Sequence, residues 1–147
     1  MCPIRWPLSS RCAAVRPGGR VVATVWGQRK HCGWAELFPI VDARIASEVC
    51  PMFFGPGTAG SLARDFETAD LKDVREHRQQ EKLEFRDEKT LLTAMFIGGA
   101  VALAVKRFTP QVLAEVQREF LASVQEYRAG DGRYLIPGEF VTVSGKR

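Results

Sequence analysis

The 147-residue chain is about one domain long, and its 46% hydrophobic and 26% charged residues exclude a disordered polyelectrolyte. The net charge of +4 is uneven: Arg5, Arg11, Arg16, Arg20, Arg29 and Lys30 stand among residues 1–35 without an acid, which leaves −2 for the rest. A slightly acidic body does not argue for nucleic acid, and Met1–Ala14 lacks the apolar core of about seven or more residues that a secretory signal needs.

An Arg-rich, acid-free head also admits an organellar transit peptide, although this one runs straight into a strand. Cys2, Cys12, Cys32 and Cys50 include no pair two to four residues apart, and His31 is far from His77. Zinc-type spacing is therefore absent and no metal site is expected. Reduced thiols in the cytoplasm are the natural expectation.

The first element is announced by Arg16-Pro17-Gly18-Gly19-Arg20, a tight reversal feeding the β-branched run Val21 to Trp26. An unbroken run of this kind predicts a strand buried on both faces, in the middle of a parallel sheet. Trp34 to Val49 then reads as an amphipathic helix, with Leu37, Ile40, Val41, Ile45 and Val49 at spacings of three and four. Cys50 to Gly57 is an aromatic, Pro/Gly-rich loop, and a second helix is expected from about Ala59 to Ala69, with Leu62 and Phe66 inward.

Val74 to Phe85 is polar and roughly alternating, as suits a strand near a sheet edge. A third helix starts near Asp87 and enters the apolar stretch Leu91–Val105. Fifteen residues fall short of the roughly 20 that span a membrane, and Gly98-Gly99 weakens the helix, so a buried or broken helix is expected rather than an anchor. Thr109-Pro110 offers an N-cap and a first-turn proline. Val112, Leu113, Val116, Phe120, Val124 and Tyr127 form its inward stripe, with Gly130 as the stop. Tyr134 to Gly138 leads into the terminal strand Glu139–Ser144.

This order of elements resembles the C-terminal half of class I S-adenosylmethionine (SAM)-dependent methyltransferases, in particular the small-molecule group similar to quinone-biosynthesis enzymes. Arg16 to Arg20 with Val21–Trp26 looks like that family's turn and fifth strand. Phe66 to Val74 looks like its lead into the sixth, and Pro137 to Arg147 like its closing antiparallel strand. The likeness covers residues 16–147. It implies a partial α/β, Rossmann-like fold of strands five to seven plus helices, with the last two strands antiparallel and the first beside the closing one. Asp70 stands where the family usually has Gly at a positive φ, which Asp tolerates better than most residues.

The family binds SAM through its N-terminal half, with a Gly-rich loop and an acid for the ribose, and neither is found ahead of Val21. The resemblance thus implies a truncated fragment, inactive alone, that is not expected to bind SAM unaided. Codons permitted for Met1 to Cys12 can, in another frame, encode the helix that the family places before its turn. Residues 1–15 are accordingly expected to be an aberrant, out-of-frame or disordered N-terminus. Gly55-Pro56-Gly57-Thr58-Ala59-Gly60 matches G-x-G-x-x-G, but Cys50–Phe54 before it is a poor central strand. A loop leading into a helix is the expectation there.

In the complete family the acceptor lies under helices that follow the fifth strand. The resemblance therefore implies Trp26, Trp34, Phe38, Phe53, Phe54 and Met95 as substrate-binding residues for a small apolar or aromatic acceptor, with ordinary packing as the alternative for each. Phe96 is a similar case. No catalytic or cofactor-binding residue is assigned. His31 is a candidate general base or a surface histidine, and His77 is expected on a solvated face. The first strand's other edge, unpaired, could take a second copy or a complementing fragment. The alternative to an enzyme fragment is a non-enzymatic module that holds a hydrophobic ligand or partner.

Overall fold

The closing strand carries the fold. A computed structural model describes residues 15–45 and 53–147; the N-terminal expectation for residues 1–14 and the C-terminal part of the helix expected to reach Val49 lie outside them. Strand β3 (Tyr134–Lys146) runs between β1 (Arg20–Trp26) and β2 (Lys72–Phe85) and is antiparallel to both. Arg20 lies opposite Lys146 and Trp26 opposite Phe140, while Arg75 lies opposite Ser144 and Phe85 opposite Tyr134. Both pairings agree with the expected neighbours. The whole is a mixed helix-and-sheet structure with five α-helices among the described residues.

Period-two alternation assigns the two sheet faces. Val141 and Val143 of β3, with Val21, Ala23 and Val25 of β1, meet Leu62 and Phe66 of α2 (Ser61–Thr68) and form a small core. On the other face Tyr134 and Ile136 join a larger core built from α1 (Leu37–Asp42), α3 (Glu88–Phe96), α4 (Ala102–Val105) and α5 (Pro110–Ser123). Those helices cover only the first half of β3. Towards Lys146 the same face stays open.

The openness corrects one expectation. β1 is not a strand buried on both faces: it is an edge strand among the described residues, and Val22 is 58% exposed. Its β-branched run suits a pleated surface covered by α2 on one side only. β2 occupies the other edge, as its polar sequence predicts, and His77 is exposed.

The helices follow local chemistry. Asp87 caps α3 by accepting from Thr90 N at 2.7 Å, and Thr109 Oγ1 accepts from Val112 N at 3.3 Å at the start of α5. The apolar stretch breaks at Gly98-Gly99 into α3 and α4, and none of the described helices is long and apolar enough to cross a membrane. Two helices are shorter than predicted. Trp34 to Glu36 form turns ahead of α1, and α5 gives way to a 3-10 turn at Gln125–Tyr127 before Gly130 is reached. Asp70 has φ 61°, the left-handed conformation expected of it.

Candidate functional site

The carboxyl end of β1 separates an aromatic cluster from a polar one. On the face of the large core, Trp26 stacks on Phe140 with ring centroids 4.5 Å apart and meets the edge of Trp34 at 4.9 Å. Trp34 in turn lies 5.9 Å from Phe38, 5.7 Å from Phe53 and 5.5 Å from Phe54. Five of the six residues named as substrate-binding are thus brought into one cluster, and half-buried Met95 packs against the same core. Trp34, Phe38 and Phe54 are buried, Trp26 and Phe53 half-buried. The indole Nε1 of Trp34 is buried without a hydrogen-bond partner among the described residues.

The polar cluster forms on the face covered by α2, around a residue that the sequence reading did not single out. Glu139 is 4% exposed, the one buried charged side chain among the described residues. It lies one residue beyond the Trp26–Phe140 pair, so its side chain enters the space under the loop that leaves β1. Gln28 N donates to its Oε2 at 2.7 Å, His31 Nδ1 stands 3.0 Å from Oε1, and Arg78 Nη1 reaches Oε2 at 3.3 Å. Gly27 N donates to the Glu139 carbonyl at 2.7 Å. A Cβ on Gly27 would fall 2.0 Å from Glu139 Oε2, so only glycine leaves room for the carboxylate.

Burial works to push the Glu139 carboxyl up, but the Gln28 N–H and then the charges of His31 and Arg78 outweigh it and hold the carboxyl below its ordinary range. The neighbouring Cys32 thiol is free and buried. Burial raises it, a hydrogen bond with the Glu139 backbone opposes that, and the Glu139 charge raises it further, so it is a poor nucleophile. The His31 side chain is 33% exposed, and its Nδ1 lies 3.0 Å from Glu139 Oε1 without hydrogen-bond geometry to a partner among the described residues.

Sequence reasoning offered His31 as base or surface residue; it did not find Glu139 or Arg78. One signal was available: Glu139, Val141 and Val143 alternate, so the acid occupies an inward position of an apolar strand. Arg78 completes the cluster by donating to Gly57 O at 3.1 Å and to Glu76 at 2.9 Å.

These residues do not form a cradle for SAM. Gly55–Gly57 is a 3-10 turn, and a Cβ on Gly57 would fall 1.9 Å from the carbonyl oxygen of Trp26. The glycine thus serves a close approach to the chain's own backbone rather than to a ligand, and the loop leads into α2 as expected. The buried carboxylate, Glu139, is already taken by Gln28, His31 and Arg78. Among the described residues no three His, Cys, Asp or Glu side chains gather as metal ligands. The chain matches no protein-family model, and no curated protein matches it.

Proposed function

We propose that this chain is the acceptor-binding side of a SAM-dependent methyltransferase with a partial Rossmann-like fold, in which β1, β2 and β3 correspond to strands five, six and seven. What carries the reading is the sheet order, with the closing strand between the other two and antiparallel to both. The turn before β1, the lead into β2 and the closing strand, in that order, support it. The acceptor is a small apolar or aromatic molecule held against Trp26, Trp34, Phe38, Phe53, Phe54 and Met95. Because the described residues do not fit SAM, the isolated chain holds no methyl donor and is inactive.

A second reading, a non-enzymatic module for a hydrophobic ligand or partner, is favoured by one observation. The buried Trp34 N–H is a donor without a partner among the described residues, in otherwise apolar surroundings, which a ligand oxygen would satisfy. Either way, a second copy or a complementing fragment pairs with the free edge of β1, and the protein is cytoplasmic, in keeping with the free Cys32 thiol.

Calorimetry of the 147-residue chain with SAM, beside titration with a fluorescent apolar probe, tests the proposal. The expected result is no heat with SAM, and probe binding that weakens in Trp34→Phe. Saturable SAM binding would overturn the donor-free reading. A cooperatively folded chain that ignores the probe would remove the acceptor site from both readings.

A further inference from the structure

The open half of the sheet ends in a basic groove that the cluster at the far end of β1 does not use. Arg20, Asp73, Arg75, Ser144, Gly145 and Lys146 line it, around a volume of about 100 Å³. In the strand register Arg20 lies opposite Lys146, and Lys146 opposite Lys72, so three cations cross the three strands in one row. The next row on the same face brings Arg75 opposite Ser144. Like charges placed directly opposite each other destabilise a sheet.

The acid that relieves this row is incomplete compensation. Asp73 sits where the β2 register shifts, with φ 52° in the left-handed region, and pairs with Lys146 Nζ at 2.7 Å. Lys72 pairs loosely with exposed Asp70 at 3.5 Å. Arg20 and Arg75 make no ion pair among the described residues, although both line the groove. Two guanidinium forks, an ammonium and the Ser144 hydroxyl thus converge as donors with only one carboxylate between them.

The geometry points to a binding site for a phosphate group in this groove. Phosphate presents several acceptor oxygens to match two planar forks and would neutralise the repulsion between the strands. Asp73, held by Lys146, sets the limit on affinity, because its carboxylate faces the same groove as the anion. The site is independent of the methyltransferase reading, since it shares no residue with the aromatic or Glu139 clusters.

The test titrates the full chain with inorganic phosphate at constant ionic strength, chloride being the control, and follows heat and thermal unfolding. Phosphate-specific binding is expected. Arg20→Gln and Arg75→Gln should each weaken it about tenfold, as loss of a charged hydrogen bond does. Asp73→Asn, which tolerates the same backbone conformation, should strengthen it. Phosphatidylcholine vesicles with and without phosphatidic acid form a second arm. Capture by the acidic vesicles alone, with the same ordering of variants, assigns the phosphate to a lipid headgroup, whereas a response to free phosphate assigns it to a soluble ligand. Absence of both responses, an equal response to chloride, or an Asp73→Asn variant that binds more weakly overturns the proposal.

Discussion

Glu139 is the residue on which the end of β1 depends. Its carboxylate closes the gap left by the last β1–β3 pair and holds the Gln28 N–H, His31 and Arg78 together. Glu139→Gln should cost about 1–3 kcal/mol in chemical denaturation near neutral pH, because hydrogen bonds to a charged group are lost in a buried place. The pH dependence has a definite sign. The folded carboxyl lies below its ordinary value of 4.5, so its stabilisation is complete above that value and is lost as pH falls through the lower folded value. The stability gap between wild type and Glu139→Gln should therefore narrow on acidification below about 4.5, read from denaturation midpoints across the acid range. Gly57→Ala is a separate test of close packing. The added methyl meets the Trp26 carbonyl, a backbone atom that cannot swing away, and a loss of about 1–3 kcal/mol or more is expected.

Among the elements, α5 combines a sequence-encoded start with a buried face. Removing the cap by Thr109→Ala should cost about 1 kcal/mol. Phe120→Ala, which empties a fully buried position touching Phe96 at a centroid distance of 5.8 Å, should cost about 3–5 kcal/mol. Equilibrium unfolding of both variants checks the contrast, and equal losses would contradict it. The end of α1 is tied to α5 by Arg44, whose Nη1 donates to Glu119 Oε2 at 2.8 Å. β1 shows how little an apolar run says about burial by itself. The same β-branched residues serve a strand covered on one face, where Val21, Ala23 and Val25 pack and Val22 does not.

At the scale of the whole molecule, the sheet order leaves β1 with one ladder neighbour among the described residues. An edge of this kind invites strand addition. Light scattering over a range of concentrations should show association of the chain that weakens when Val22→Pro removes an outward-pointing backbone donor from the free edge of β1. A monomer at every concentration would reject self-pairing through that edge. The two ends of β1 also predict different behaviour: additives that mask phosphate sites should leave binding of an apolar probe unchanged, since the aromatic cluster and the basic groove lie at opposite ends of that strand.

The order of elements was legible in the amino acids alone. Capping at Asp87 and Thr109, the break at Gly98-Gly99, the left-handed Asp70 and the polar edge strand are local effects, each decided within a few residues of chain. The aromatic residues could be named as a group for the same reason: they are concentrated around the turn that follows β1. What the chain order could not supply is the meeting of Glu139 with Gln28, His31 and Arg78, or of Arg20 with Arg75 and Lys146. Those contacts join strands more than forty residues apart, and their register is set by which faces α2 and the helical layer cover. Burial of β1 was decided in the same way, because a strand's second face is covered only if another element reaches it.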